Sequence, residues 1–151
     1  MQDTLPIHFA PLQGYTEAIY RNAHDAFFGG VDTYYTPFVR LEKGNFRRRD
    51  VRGIEPENNG VPHLIPQLIA SSAEKAEVIL SLFIEKGYQE VDINLGCPFP
   101  LLAKRHNGSG ILPYPEEVKA LLSIVTRYPQ ISFSVKMRLG WEQPDECLAL
   151  A

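Results

Sequence analysis

Short apolar runs alternate along this chain with amphipathic stretches. "PIHFA", Pro6 to Ala10, is a first strand candidate and leads into the loop "PLQGYT", marked by Pro11 and Gly14. Thr16 is placed to cap a helix from Glu17 to Phe27, which Gly29 and Gly30 would end. A second strand, Thr33 to Thr36, is aromatic and β-branched and is broken by Pro37. A long polar connection follows, containing "EKGNFRRRDVR" and "EPENNG", before a third strand from Leu64 to Ile69. The clearest helix opens at Ser71 or Ser72, aligns Ala76, Ile79, Leu80 and Phe83 on one face, and closes at Gly87. "EVDINL", Glu90 to Leu95, is the fourth strand. Pro115 then starts a helix with Glu116 and Glu117 in its first turn and Val118, Leu121, Leu122 and Val125 at helical spacing. Ser132 to Met137 is the fifth strand, and "RLGWEQPDECLALA" reads as an opening helix.

Strands alternating with helices, joined by right-handed crossovers, make a parallel sheet and an α/β protein. Five such strands suit an open doubly wound sheet or part of an eight-stranded barrel. A complete barrel needs about 200 residues at the least. On the barrel reading, the 151 residues are one unit carrying about the first five strands and four helices.

In either architecture ligands bind at the carboxyl ends of the strands, and the unusual residues collect there. Pro11, Leu12, Gln13 and Gly14 follow strand 1, Gln67 ends strand 3, Asn94 and Cys97 end strand 4, and Lys136 and Arg138 end strand 5. Asn94 and Lys136 each interrupt an apolar run, where an unpaired polar group costs several kcal/mol. A bound ligand could pair them, and so could each other or loop backbone; their co-location favours a site.

Composition sets limits. The apolar fraction of 44% is enough for one core, and a net charge of -3 leaves any nucleic-acid contact to a local basic patch. Such a patch is offered by Lys43, Arg47, Arg48, Arg49 and Arg52, read as a surface loop on the active-site rim or simply a solvated one. Cys97 and Cys147 form no C-x-x-C and have no clustered histidines, which argues against a metal site or a disulfide framework. With no leader in "MQDTLPIHFAPLQ" and no long apolar span, a soluble cytoplasmic protein is expected.

The motifs "APLQGYTEAIYR", "PQLIAS", "DINLGCPFP", "NGSGILPYPEEV" and "SVKMRLGW" together resemble the tRNA-dihydrouridine synthases, in the family's order and over nearly the whole chain. The family more often has methionine and alanine where Leu12 and Gln13 stand, and aspartate where Glu17 stands. The resemblance implies a TIM-type (β/α)8 barrel that binds FMN, with NADPH as reductant and tRNA as substrate. It also implies further barrel strands and a C-terminal helical tRNA-binding domain outside this chain, a monomer at full length, and an isolated chain that is inactive and loses flavin.

By the same resemblance Cys97 is the catalytic acid that protonates C5 of uridine while hydride reaches C6. An ordinary thiol is mostly protonated at neutral pH and can serve in that role. Lys136 and Gln67 would contact the flavin ring, Pro11 and Leu12 would cover it, and Asn94 and Arg138 would contact the base. "NGSG", Asn107 to Gly110, would be a flexible turn closing over the substrate. Two other readings stay open: another FMN barrel such as a dihydroorotate dehydrogenase, and a non-catalytic, truncated RNA-binding fragment.

Overall fold

A computed structural model describes residues 5–150; the start of the stretch read for a leader, residues 1–4, lies outside the described residues. The elements in chain order are β1 (His8–Phe9), α1 (Ala18–Phe27), β2 (Thr33–Tyr35), β3 (Leu41–Glu42), β4 (Asn45–Phe46), α2 (Arg48–Ile54), β5 (Leu64–Ile65) and β6 (Gln67–Leu68). They continue with α3 (Ala73–Glu85), β7 (Glu90–Leu95), α4 (Pro100–Ala103), α5 (Pro115–Arg127) and β8 (Ser132–Met137). A short 3-10 helix, Glu146–Ala149, stands where the last helix was expected.

The sheets run β1-β2-β5 and β6-β7-β8, every neighbouring pair parallel. β5 and β6 are the expected third strand, divided at Pro66. Proline has no N–H for the ladder, although the Pro66 carbonyl still accepts the Asp92 N–H at 3.0 Å. Strands therefore neighbour one another in chain order with no reversal, unlike a doubly wound sheet. The layer also curves: His8 from β1 and Ser134 from β8 line one cavity of about 240 Å³.

The core lies on the helix side of the sheet. Ala76, Ile79, Leu80 and Phe83 of α3 are fully buried against Val91 and Ile93 of β7 and against Leu121 and Ile124 of α5. Fully burying one such aliphatic side chain contributes about 1.5–3 kcal/mol. Ser72 caps α3 by accepting the Lys75 N–H, and Gly87 ends it with φ +84°. On α5 the buried stripe is Val118, Leu121 and Ile124, while Val125 is exposed, because the contact with α3 follows the i, i+3, i+6 ridge.

Three local expectations are corrected. Thr16 does not cap α1: its hydroxyl accepts the Leu12 N–H at 2.8 Å and so braces the turn after β1. The segment read as one basic loop is a tight β3–β4 hairpin followed by α2. Asp50 explains why a helix forms within an arginine run, since Arg47 pairs with it at 2.7 Å and Arg49 at 3.7 Å. The "NGSG" segment is no mobile flap: Gly108–Ile111 is a buried 3-10 turn.

Arg21 of α1 is fully buried, which lowers its pKa to about 10. Its guanidinium donates to the carbonyls of Thr16 at 2.6 Å and Gly53 at 2.8 Å, tying α1 to α2. At the far end of α2, Lys86 binds Glu55 and the Tyr88 hydroxyl donates to Ile54. Tyr88 precedes β7 and Cys97 follows it, so this end of α2 lies at the opposite end of β7 from Cys97.

Candidate active site

In β7 the side chains alternate, as a strand requires. Val91, Ile93 and Leu95 enter the helix-side core; Asp92 and Asn94 face the other way. The parallel register then aligns Gln67 with Asp92 and Ser134, and Asn94 with Lys136. Strand pairing alone thus brings polar residues from three strands together.

These residues form a continuous chain of hydrogen bonds. Ser134 Oγ donates to Asp92 Oδ1 at 2.7 Å, and Gln67 Nε2 donates to Asp92 Oδ2 at 2.6 Å. Asn94 Nδ2 donates to Gln67 Oε1 at 2.8 Å. Asn94 Oδ1 in turn accepts the backbone N–H groups of Gly96 at 3.0 Å and Cys97 at 2.9 Å. Burial raises the pKa of Asp92, while the bonds from Gln67 and Ser134 and the charge of Lys136 pull it down.

Cys97 is held from its other side as well. Its carbonyl accepts the N–H of Ser109 at 3.0 Å and the Ser109 hydroxyl at 2.9 Å. Gly108 makes this approach possible: its φ is +61°, and a Cβ there would lie 2.6 Å from the Cys97 carbonyl oxygen. The half-buried thiol residue packs against Phe38, Ile69 and Leu102. His106, the nearest histidine in sequence, is engaged elsewhere, stacked on Tyr114 with Nδ1 2.7 Å from Glu117.

A cavity of about 230 Å³ opens over this turn, and every residue expected from the sequence lines it: Pro11, Leu12, Gln67, Asn94, Cys97, Lys136 and Arg138. Arg138 Nε donates to the Gly96 carbonyl at 2.6 Å, so it braces the same turn. Gln67 is fully buried with both ends of its amide engaged, which makes it a link within the network first. The neighbouring cavity that holds Asp92 and Ser134 shares Pro11 and Lys136.

Sequence reading missed Asp92, Ser134 and Ser109, and placed Gln13 on the rim without giving its side chain a role. Period-two alternation from Asn94 and Lys136 leads back to Asp92 and Ser134. Nothing local marks Ser109, which reaches Cys97 through the fold. Gln13 lines the Cys97 cavity, and neither its Nε2 nor its Oε1 has a hydrogen-bond partner although both are buried. Among the described residues no group of three or more His, Cys, Asp or Glu is placed to hold a metal ion, and no helix is long and apolar enough to cross a membrane.

Fold and site together define a parallel α/β protein with a clamped cysteine, a lysine and an arginine at the carboxyl ends of its strands. Residues 8–151 match the model of the dihydrouridine synthase (Dus) family, and the chain belongs to that family. It is 30% identical to a tRNA-dihydrouridine(16) synthase of Pseudomonas putida, over 97% of this chain and 48% of that protein. It is 29% identical to a probable tRNA-dihydrouridine synthase 1 of Synechocystis sp., over 88% of this chain and 37% of the relative. A tRNA-dihydrouridine synthase B of Klebsiella pneumoniae is 31% identical over 56% of this chain and 27% of its own length. The chain spans less than half the length of these relatives.

Proposed function

We propose that the protein carrying this chain reduces uridine to 5,6-dihydrouridine in tRNA, and that Cys97 is the proton donor. The observation that carries this reading is the clamp on Cys97: both amide groups flanking the residue are fixed by Asn94 and Ser109, in a cavity shared with Lys136 and Arg138. The chain would contribute the first strands of a TIM-type (β/α)8 barrel. Sequential parallel order supports this, as do apolar residues left exposed on both flanks, among them Ile19 and Phe27 on α1 and Val135 and Met137 on β8.

The residues present fit a flavin. The unpaired amide of Gln13 offers one donor and one acceptor side within the cavity, as the carbonyl and N–H edge of an isoalloxazine requires. Lys136, Gln67, Gln13, Pro11 and Leu12 would hold the group. When bound, FMN reduced by NADPH supplies the hydride that reaches C6 of the base.

The chain's own residues govern the rest. Lys136 brings positive charge to a site where the ring and the base each become electron-rich. Asn94 and Arg138 hold the Gly96–Cys97 turn, and with it the thiol, at the face of the base. As the C5=C6 π bond is consumed, Cys97 gives its proton to C5, becomes a thiolate and regains a proton from water. The base must leave its stack to arrive here, which requires a cavity rather than a flat surface.

The test is Cys97→Ala, assayed for dihydrouridine in tRNA and, separately, for flavin reduction by NADPH. Base reduction should collapse while flavin reduction survives. Base reduction at an unchanged rate would remove Cys97 as the acid.

A further inference from the structure

A second groove, of about 490 Å³, lies beside the Cys97 cavity, and its charge is at odds with that of the chain. Arg40, Lys43, Lys75 and Arg105 line it against the single carboxylate of Glu42, in a chain of net charge -3. Arg40 pairs with Glu42 at 3.2 Å and keeps a buried Nε without a partner. Lys75 donates to the Ser71 hydroxyl at 2.8 Å. Among the described residues Lys43, Lys75 and Arg105 form no ion pair with any carboxylate.

The cations come from three segments that follow the carboxyl ends of the strands. Arg40 and Lys43 follow β2, Lys75 lies in the first turn of α3 after β6, and Arg105 follows α4 after β7. Lys43 occupies a two-residue hairpin turn with φ +50° beside Gly44 at φ +80°, a turn geometry that fixes its position on the rim. Ile69 and Leu102 form part of the groove and also pack against Cys97, so groove and cavity share a wall.

We propose that this groove holds the phosphodiester backbone of RNA next to the nucleotide whose base enters the Cys97 cavity. This rests on the dihydrouridine-synthase reading. Separated cations on an aliphatic floor, with no aromatic side chain in the lining, suit successive phosphates rather than a stacked base. The conspicuous arginine run of α2 is the poorer candidate. Arg47 and Arg49 are paired with Asp50, and Arg48 and Arg52 share their own groove with Glu55 and Glu57.

The test is binding of an unmodified tRNA transcript to the full-length protein that carries this chain, followed by fluorescence anisotropy across a series of KCl concentrations. Lys75→Ala with Arg105→Ala should lower the slope of log affinity against log salt by roughly 1.4 to 1.8, and Lys43→Gln alone by roughly 0.7 to 0.9. Arg48→Ala with Arg52→Ala should leave the slope near that of the parent. All three groove positions are exposed, and thermal melting checks that each variant folds; Lys43→Gln, at the hairpin tip, serves if the double variant does not. An unchanged slope in the groove variants, an equal fall in the α2 variant, or no binding by the full-length parent overturns the proposal. So does weakened binding of NADPH with tRNA binding intact, which would make the groove a dinucleotide phosphate site. A Cys97→Ala enzyme that still reduces uridine would defeat the underlying reading and leave these slopes untouched.

Discussion

The side-chain oxygen of Asn94 accepts the backbone N–H of Cys97 at 2.9 Å, so a strand residue fixes the residue that begins the following loop. The same oxygen takes the Gly96 N–H, and the Asn94 amide nitrogen donates to Gln67. Asn94→Ala therefore strands two backbone donors and one buried acceptor. The expected loss is about 1–3 kcal/mol for each buried group left unpaired, read as a lower urea midpoint. Asn94→Asp keeps the acceptor for the two N–H groups but turns an acceptor toward Gln67 Oε1. It should therefore be less stable than the parent at neutral pH and recover partly in acid. Equal stability of parent and Asn94→Ala would show that the clamp carries no weight.

Asp92 gives a pH dependence with a definite sign. Burial raises its pKa, against the opposing bonds from Gln67 and Ser134 and the charge of Lys136, so the folded state holds the proton more tightly than the unfolded chain does. Its contribution to stability is complete below the unfolded carboxylate value of about 3.9 and is lost as pH rises through the higher folded value. Asp92→Asn keeps a carbonyl for Gln67 Nε2 and an amide that can donate to the Ser134 hydroxyl. The stability of Asp92→Asn relative to the parent should therefore grow as pH rises out of the acid range and then level off. Denaturant midpoints at stepped pH measure it, and a constant difference across that range counts against the raised pKa.

Gly108 is the position where backbone geometry limits the site most directly. Alanine there needs a φ of +61° and sets a Cβ 2.6 Å from the Cys97 carbonyl oxygen and 2.9 Å from its Cβ. Strain of about 1–3 kcal/mol from the backbone alone adds to the clash. Gly108→Ala should lower the melting temperature and, by pushing Cys97 off Ser109, change the rate at which a maleimide modifies the Cys97 thiol. Cys147→Ser in the background removes the other thiol from that measurement. A melting temperature and labelling rate equal to the parent's would mean the turn relaxes freely.

What the sequence made legible follows from how local each signal is. The apolar stripe of α3, the caps at Ser72 and Gly87, and the strands around Asp92 and Ser134 are written in neighbouring residues, and the structure has them. The expected site residues do meet in one cavity, because parallel pairing carries polar strand ends to one rim. Features that depend on distant partners were not legible. Arg21 reads as an ordinary helix arginine until Gly53 arrives from another element, and Ser109 reads as part of a glycine-rich flap until it bonds Cys97. The helix within the arginine run was hidden for the same reason: charge counted along the chain ignores Asp50, which takes two of those arginines into ion pairs.

Gln13 separates stability from binding. Its amide nitrogen and oxygen are both buried in the Cys97 cavity with no partner, and a buried polar group left unpaired costs about 1–3 kcal/mol. Alanine removes that cost along with the side chain's contacts, so Gln13→Ala without ligand should melt no lower than the parent and up to a few degrees higher. If the amide exists to meet a carbonyl and N–H edge, the same variant should bind flavin about tenfold more weakly, the equivalent of about 1.4 kcal/mol. Flavin fluorescence quenching measures the affinity, and a parallel titration of the uridine-bearing tRNA shows whether ring or base is the group recognised. Loss of stability with flavin and tRNA affinity both intact would make Gln13 a structural residue of the loop after β1. Gained stability with weakened binding is the signature of a side chain kept for its ligand.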